Sequence, residues 1–523
     1  MISSVLDAVF AKARELSFDW FHLKIQTTRQ IAWRLAHNQL SRENINKEQI
    51  ILHFQGIVDQ RQGSLSLPLF NLPKIITRLE KLREDIVLQA PDEELVIPQI
   101  PPHDRTIEWK RTGEGLFEQV CDDDFVAGVG VPFQRLRDWS IRLTGFIELA
   151  ESRQISCYFT RDTQNTLQVT TQESAGTVSI TLDLPEGDFF SRPRPGASAT
   201  SKCSLMETTW THITQTVLDS IAECLSHLAP DKKDEIIFEP WESNPVQKLQ
   251  QTPHGGDSSS TKISIAKLGM VEPGPFTVVL HPHAVFELIQ TMIMYNLFDR
   301  RKVDEGRTYL SRPDAVKTFP VGLVLERPFV LPSNHGEMPL AIDFPLNEQG
   351  QPCNALTLIS GGHLRDMLVT PYWGQKTGLM ATFGPWAAPP LHLNFVAPHG
   401  ASREHAGHGM TLAQDLKQLI ESTENGLFVS HFWYLRMVNE MEGTITGMTR
   451  DGLFKIHNGQ ITEPLMNMRW HANPFQVLSQ ITGMTKEKRL LGLSRHLGLS
   501  RSPLGLVPAV RVREFPFTSR STF

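Results

Sequence analysis

Cysteine is scarce in this sequence of 523 residues. The five cysteines lie far apart and form no Cys-x-x-Cys pair; they are Cys121, Cys157, Cys203, Cys224 and Cys353. An odd and dispersed set of this kind argues against a disulfide framework and against a zinc site built from thiolates.

Long apolar runs and an excess of positive charge are also missing. Because no run of about 18 uninterrupted apolar residues occurs, the sequence predicts no membrane-spanning helix. The N-terminal stretch MISSVLDAVFAKARELSFDW has acidic and basic residues within its apolar part, unlike a signal peptide. The formal net charge is −6, which provides no basic field for nucleic acid. We therefore expect a soluble, cytoplasmic protein whose partners include neither membrane nor nucleic acid.

Common catalytic motifs are absent as well. The sequence contains no Gly-x-x-x-x-Gly-Lys-Ser/Thr phosphate loop and no Gly-x-Ser-x-Gly nucleophile turn. The stretch GVGVPF contains Gly128 and Gly130, but the rest of a dinucleotide-binding fingerprint is missing. Residue types alone therefore indicate no catalytic constellation.

Composition and patterning predict a folded α+β protein of several domains. Hydrophobic residues make up 40% and charged residues 21%, as in ordinary globular proteins. The chain is also longer than the roughly 250–300 residues at which single cores stop growing. Changes between helical and alternating patterns, and stretches rich in proline or glycine, suggest the boundaries. The expected units are an N-terminal α/β domain (1–105), a small middle α+β domain (106–238), a linker (239–262), a large strand-rich C-terminal domain (263–495) and a C-terminal tail (496–523).

The stretch LHPHAVFELIQTMIMY, residues 280–295, contains His281, His283 and Glu287. Two imidazoles and a carboxylate are a reasonable ligand set for zinc, and residues four apart share one face of a helix. The simpler interpretation is a helix that begins near Pro282 and has polar side chains capping its first turn. The sequence favours this second interpretation.

A second group of histidines lies in APHGASREHAGHGM, which contains His399, Glu404, His405 and His408. His405 and His408 would share a helix face, but the neighbouring glycines indicate a loop. The order of Glu404 and His405 also differs from the His-Glu-x-x-His motif, in which the glutamate follows the first histidine. We expect a histidine-rich loop here, with a functional metal site as the less favoured alternative.

One segment is more specific than these. The stretch GLFVSHFWYLRMVNEMEGTITGMTRDGLFKIHNGQITEPLMNMRW, residues 426–470, resembles the C-terminal core of the TldD/PmbA family. This family comprises peptidase-related proteins once described as modulators of DNA gyrase. Upstream, FTVVLHPHAVFELI, DEGRTYL and LISGGHLRDMLVTPYWGQKTG follow in the order that the family uses. The resemblance is strong over residues 265–490 and implies a strand-rich C-terminal domain of the family's type.

The resemblance also implies where a metal would bind. Catalytic members, of the TldD type, are similar to metallopeptidases with a His-Glu-x-x-x-His helix after this strand, and they use a cysteine near the C-terminus. Here Gln290, Thr291 and Tyr295 stand at the motif positions, and no cysteine follows Cys353. A glutamine lacks the imidazole that zinc prefers, and a threonine cannot act as a general base. We therefore expect no catalytic residue and no zinc in this chain.

The block GTITGMTRDGLFKI contributes most of the candidate residues for binding substrate or a partner. These candidates are Arg307, Thr446, Thr449, Arg450 and Asp451. A guanidinium at position 450 could bind a peptide carboxylate, but the favoured alternative is an Arg450–Asp451 contact that only holds a turn. Arg307, in DEGRTYL, has the same two interpretations. Trp433 and Tyr434 are expected in the core.

The resemblance implies a function that the residues alone do not. The chain is expected to be a non-catalytic subunit of the TldE or PmbA type in a heterodimeric zinc metallopeptidase that acts on unfolded peptides. Its partner would be a TldD-like paralogue that holds the zinc, or a second copy of the chain in a homo-oligomer. Two alternatives remain open: a stand-alone peptide-binding or scaffold protein of the same fold, and a divergent metalloenzyme that uses other histidines.

Overall fold

The fold combines two large β-sheets and a two-stranded sheet with helices, as a computed structural model shows. This α+β architecture confirms the expected fold class. The described residues are 2–36, 38–69, 71–98, 105–111, 122–162, 166–186, 194–205, 210–229, 268–325, 329–331, 340–342, 356–382, 392–396, 410–492 and 504–521.

The helices of the described residues follow in chain order. They are α1 (Ile2–Glu15), α2 (Leu72–Val87), α3 (Asp122–Asp138), α4 (Trp210–Leu228), α5 (Pro282–Met294), α6 (Arg300–Asp304), α7 (Pro371–Thr377), α8 (Leu416–Glu421) and α9 (Pro474–Ser479). A short 3-10 helix covers Tyr309–Ser311. Local sequence signals explain α2, because Asn71 caps its first turn by accepting from the Lys74 amide and Pro73 lies within that turn.

The first sheet contains seven strands in the order β3-β2-β1-β5-β6-β4, with β7 also paired to β6. The strands are β1 (Trp20–Ala36), β2 (Gln39–Val58), β3 (Arg61–Pro68), β4 (Arg105–Arg111), β5 (Arg142–Thr160), β6 (Thr166–Glu186) and β7 (Arg194–Leu205). Alternation along β1 directs every second side chain to one face. On that face Phe21 and Leu23 pack in a core with α1 and α2, whereas Trp33 and Leu35 pack in a core with α3 and α4.

The second sheet contains fourteen strands, with the path β13-β12-β9-β14-β23-β8-β16-β19-β20 through its middle. The remaining strands are β8 (Gly274–Leu280), β9 (Gly322–Leu325), β10 (Phe329–Leu331), β11 (Leu340–Ile342), β12 (Leu356–Ser360), β13 (His363–Leu364), β14 (His392–Val396), β15 (Thr411–Ala413), β16 (Asn425–Val429), β17 (Phe432–Asn439), β18 (Thr444–Thr449), β19 (Leu453–His457), β20 (Gln460–Pro464), β21 (Met468–Ala472), β22 (Ile481–Gly492) and β23 (Leu504–Arg520). Strands β10 and β11 form a separate pair. Asn458 and Gly459 make an Asn-Gly hairpin turn between β19 and β20, and both have positive φ.

Two of the expected domain boundaries do not coincide with the boundaries of the sheets. The boundary at residue 105 lies within the first sheet, because β1 pairs along its length with β5. The expected tail, 496–523, contains β23, which pairs with β8, β14, β21 and β22. The paired strands are far apart in the sequence, and the residues of one strand do not show which other strand it will pair with. The expected linker, 239–262, lies outside the described residues.

Helix α4 connects the two sheets. Its apolar stripe includes Ile213, Val217 and Ile221, which are buried in a core shared with β6 and β7. The same core contains Phe428 of β16 in the second sheet, and the His227 ring lies 4.8 Å from the Phe428 ring. The junction between the sheets is therefore apolar and packed around α4. No helix in the described part of the chain has the length and apolar character needed to cross a membrane.

One partly buried ion pair crosses this junction. Glu223 of α4 accepts two hydrogen bonds from Arg489 of β22, each 2.8 Å long, and further bonds from the Ser201 hydroxyl of β7 and from His281. Burial by itself would raise the pKa of Glu223, but Arg489 and His281 outweigh it and hold the pKa well below its usual value. The carboxylate is therefore ionised and saturated with donors.

The position of β23 generates the first prediction. Val512 is fully buried, whereas Arg513, the next residue of the strand, is exposed. Val512→Asp should abolish cooperative unfolding or lower stability by more than about 4 kcal/mol, because an unpaired carboxylate would be buried. Arg513→Asp is the matched control and should change the free energy of unfolding by less than about 0.5 kcal/mol. Equal urea-unfolding curves for the two variants would contradict the central placement of β23.

The ion pair across the junction generates the second prediction. Glu223→Ala leaves the partly buried Arg489 guanidinium without its carboxylate and should cost about 2–3 kcal/mol in the free energy of unfolding measured with urea, because hydrogen bonds between charged groups are lost. The control is Asp314→Ala, which removes an exposed pair with Arg312 and should cost about 0–1 kcal/mol. A cost for Glu223→Ala no larger than that of the control would show that the pair does not hold α4 against β22.

Candidate functional site

The candidate site lies where two neighbouring parallel strands end together. Strands β8 and β16 pair in register through Leu427↔Val278, Phe428↔Val279 and Val429↔Leu280. The His281 amide then donates to the Val429 carbonyl at 3.0 Å. Each apolar strand is followed within one to three residues by histidine, which brings His281 and His283 to the same edge as His431.

His281 has a structural role at this edge. Its Nδ1 accepts a hydrogen bond from the His283 amide and so caps α5, and its Nε2 lies 3.0 Å from Glu223 Oε1. Because Nδ1 accepts, Nε2 carries the proton and donates to the carboxylate. Burial is the main cause of the lowered pKa of His281. The helix-capping interpretation of His281 is therefore confirmed, although the side chain is buried rather than exposed.

His283 and Glu287 of α5 both contact His431, which lies just after β16. As predicted, His283 and Glu287 share a helix face, and His283 Nε2 lies 3.3 Å from Glu287 Oε1. His431 Nδ1 lies 3.7 Å from the same oxygen, and the two imidazole rings stack with their centroids 5.3 Å apart. The other oxygen of Glu287 accepts from the Phe432 amide at 2.7 Å, which fixes the carboxylate between the rings.

Asp451 lies on the far side of the His431 ring. Its Oδ2 is 3.8 Å from His431 Nε2, a buried atom without a hydrogen-bond partner. Burial by itself would lower the pKa of His431, but the carboxylates of Asp451 and Glu287 outweigh it and raise the pKa. The pKa of His283 lies well below its usual value, chiefly because of burial, with a contribution from the positive charge of Lys202. One imidazole of the pair is thus held neutral, with a lone pair for a ligand, while carboxylates surround the other.

The three positions that the resemblance assigns to the family's zinc motif hold none of the side chains expected to bind zinc. Gln290 is partly buried on α5, Thr291 donates its hydroxyl to the Glu287 carbonyl at 2.6 Å, and Tyr295 ends the helix at its C-cap. None of the three offers an imidazole or a carboxylate. The hydroxyl of Thr291 is moreover occupied within the helix.

Most of the candidate residues in the block 443–452 make hydrogen bonds that hold the strands and turns of this region. Thr446 lies within β18, where it donates to the Trp470 carbonyl, and buried Thr449 bonds Asn467 and the Met468 amide. Arg450 donates to Asp451 at 3.2 Å, which is the turn contact favoured by the sequence. Arg307 pairs with Glu305 after α6, so it too has an acidic neighbour close in sequence.

Trp433 and Tyr434 contradict the expectation that they lie in the core. They are 42% and 49% exposed. The Arg450 guanidinium lies 4.2 Å from the centre of the Trp433 ring, and the Arg436 guanidinium lies 4.2 Å from the centre of the Tyr434 ring. Strand β17 pairs only with β18 among the described strands, and Tyr434 has a positive φ that interrupts the alternation. The aromatic rings therefore lie on an exposed edge strand, each stacked on a cation.

The second histidine group cannot be compared with this site. His399, Glu404, His405 and His408 lie outside the described residues. The residues that sequence reasoning missed are His431, Glu223 and Arg489. The first had a visible signal, since LFVSH repeats the pattern of VVLH, an apolar run followed by histidine. The other two had none, because their partners are far away in the sequence.

Comparisons with known proteins agree with this fold and place the C-terminal region in a family. Residues 273–519 match the model of the PmbA/TldA metallopeptidase C-terminal domain. No protein in a curated collection matches the sequence.

Three solved structures share the fold over nearly the whole chain. A proposed modulator of a DNA gyrase from Thermotoga maritima matches with a TM-score of 0.64 and 14% identity, over 99% of this chain and 100% of that one. A proposed modulator of DNA gyrase from Bacteroides thetaiotaomicron matches with a TM-score of 0.66 and 14% identity, over 99% and 98% of the two chains. TldE from Thermococcus kodakarensis matches with a TM-score of 0.65 and 15% identity, over 98% and 100%. Residues 273–519 therefore form a C-terminal domain of the PmbA/TldA metallopeptidase type, as the motifs predict, and the whole chain has the fold of these three structures.

Proposed function

We propose that this chain is the non-catalytic, TldE-like subunit of a heterodimeric zinc metallopeptidase that cleaves unfolded peptides. The observation that carries the proposal is the composition of α5 at the family's metal positions. Gln290, Thr291 and Tyr295 replace both histidines and the glutamate of the catalytic motif. The fold that normally presents this motif is kept, while the motif's chemistry is absent.

The remaining ligand of the family is also missing from the described C-terminal strands. The sequence contains no cysteine after Cys353. Losing the two imidazoles, the general base and the thiolate together removes metal binding and water activation at that position. The zinc and the general base of the proposed enzyme therefore come from a TldD-like paralogue.

The exposed edge of β17 supports the proposed binding of a peptide or of the paralogue. An extended peptide can add to an unpaired strand edge through backbone hydrogen bonds, which tolerates many sequences. Strand β17 presents Trp433, Tyr434 and Val438 to solvent, and Val438 is 57% exposed. Aromatic side chains with neighbouring arginines are frequent at binding surfaces. We assign β17 as the strand that contacts the peptide or the paralogue.

A stand-alone peptide-binding protein is the alternative that these observations also allow. It shares the inactive α5 positions and the exposed β17 edge but needs no paralogue. Activity on mixing therefore separates the two functions, because only a subunit changes the behaviour of a zinc-bearing paralogue.

Mixing the chain with its paralogue tests the proposed function. The chain alone should leave an unfolded, fluorogenic peptide intact, and the paralogue mixed with it should cleave the peptide at a higher rate than the paralogue alone. A paralogue with Glu→Gln in its His-Glu-x-x-x-His motif is the control, and its mixture should be inactive because the general base is removed. Cleavage by the purified chain alone would overturn the non-catalytic assignment. An unchanged rate on mixing would favour the stand-alone binding protein.

The assignment of β17 makes a separate prediction. The double variant Trp433→Ala/Tyr434→Ala should weaken binding of the peptide or the paralogue at least tenfold, because exposed aromatic anchors often dominate interface energies. Isothermal titration calorimetry measures the change. Leu88→Ala/Met380→Ala, which truncates two exposed apolar side chains on other parts of the chain, is the matched control and should bind like the unaltered chain. Equal affinities for the two double variants would exclude β17 from the interface.

A further inference from the structure

Three ligand-type side chains meet at a place that the family's zinc motif does not use. We propose that His283, Glu287 and His431 bind one divalent transition-metal ion, with Zn²⁺ as the best match. Their ligand atoms all lie within 4.8 Å of one another. The site would be separate from positions 290, 291 and 295, so the proposed non-catalytic role does not depend on it. It would revise the expectation that this chain holds no metal.

The donor set selects the class of ion. Two imidazoles and one carboxylate are a common ligand set for zinc, and the same set also occurs with ferrous iron. Calcium and magnesium prefer oxygen ligands only and do not match two nitrogens. The site should therefore bind zinc or a similar first-row metal and discriminate against Mg²⁺ and Ca²⁺.

Two of the three distances between ligand atoms are close to those around a shared ion. Ligand atoms bonded at about 2.0–2.2 Å to a tetrahedral zinc lie roughly 3.3–3.5 Å from one another. The separation from His283 Nε2 to Glu287 Oε1 is 3.3 Å, and that from His431 Nδ1 to the same oxygen is 3.7 Å. His431 Nδ1 donates to the Phe432 carbonyl at 2.9 Å. To bind the ion, the His431 ring must turn away from this carbonyl and Nδ1 must lose its proton.

Surrounding contacts hold the ligands in place before any ion binds. The Phe432 amide fixes one oxygen of Glu287 and leaves the other facing both imidazoles. His283 lies in the first turn of α5, where its amide is bonded to the His281 cap. Asp451 stands beside His431 Nε2, as carboxylates often stand behind a metal-bound histidine, where they orient the ring. The ion would connect α5 to the segment between β16 and β17.

A proton is the alternative occupant. A protonated His431 between Glu287 and Asp451 would also satisfy both carboxylates, without any metal. The two occupants differ in a direct way, since only the metal site needs the lone pair of His283 as a third ligand.

The experiment measures metal binding by the chain itself. The full chain is purified without a polyhistidine tag, in a His399→Ala/His405→Ala/His408→Ala background that removes the histidine-rich stretch, and is stripped with a chelator. Titration with Zn²⁺ should give one bound ion per chain by elemental analysis and calorimetry, and should raise the melting temperature. Co²⁺ should give the visible absorption of a low-coordinate site. Mg²⁺ and Ca²⁺ should neither bind stoichiometrically nor raise the melting temperature.

Variants assign the ion to these residues. His431→Gln and Glu287→Gln should each lose zinc binding and the rise in melting temperature, while circular dichroism of the metal-free proteins checks that they fold. Glu287→Gln keeps a carbonyl oxygen that can accept the hydrogen bond from the Phe432 amide. If Glu287→Gln fails to fold, the loss of zinc binding is tested with His431→Gln alone. His363→Ala, at an exposed histidine, is the matched control and should bind normally. Gln290→Ala should also bind normally.

Two results would overturn the proposal. The first is less than stoichiometric zinc on the stripped chain, which would favour the protonated His431. The second is stoichiometric zinc that survives both His431→Gln and Glu287→Gln. Neither result bears on activity with the paralogue, so a failure here leaves the proposed subunit function standing, and a failure of that function leaves this site standing.

Discussion

The candidate site depends on the parallel pairing of β8 and β16. Adjacent parallel strands end at the same edge of a sheet, and here they do so in register, with Val429 opposite Leu280. This pairing places His283, which is far from His431 in sequence, next to its ring. Helix α5 begins directly after β8, so its first polar face is aimed at the segment that follows β16. The contacts of His431 with His283 and Glu287 follow from this one geometric constraint.

The carboxylate of Glu223, on α4, helps to orient the side chains at this sheet edge. It accepts hydrogen bonds from residues of β7, of β22 and of the cap of α5, so three elements meet at one partly buried charge. A buried ion pair gives little net stability relative to apolar packing, but it imposes a specific arrangement when every lone pair is used. The tautomer of His281 is set by this contact, and with it the capping of α5. The hydrogen bonds of Glu223 thus set the orientation of α4 relative to β22 and α5, while the apolar face of α4 provides the packing energy.

This chain shares its fold with proteins of very different sequence. At 14–15% identity the chain retains the architecture of three solved structures over nearly its full length. Apolar positions of α5, such as Leu288 and Met292, are buried and keep the helix against the sheet. Gln290 is half-buried on this helix, and the partly buried Tyr295 packs against the same core. Gln290 lies three residues after Glu287 and seven after His283, so these three side chains lie on one side of α5.

Much of the local structure was determined by the sequence itself, because it depends on residues only a few positions apart. The cap of α2 at Asn71, the Asn458–Gly459 turn and the alternation along β1 are of this kind, and the order of motifs identified the family of the C-terminal domain. The pairing of His283 with Glu287 on one helix face was also predictable, since it follows from the helical period. The tertiary structure alone decided that His431 joins them, that β23 lies in the middle of a sheet, and that Trp433 is exposed. These features rest on contacts between distant parts of the chain, and a residue's own neighbours in sequence do not state which strand will pair beside it or what will cover it.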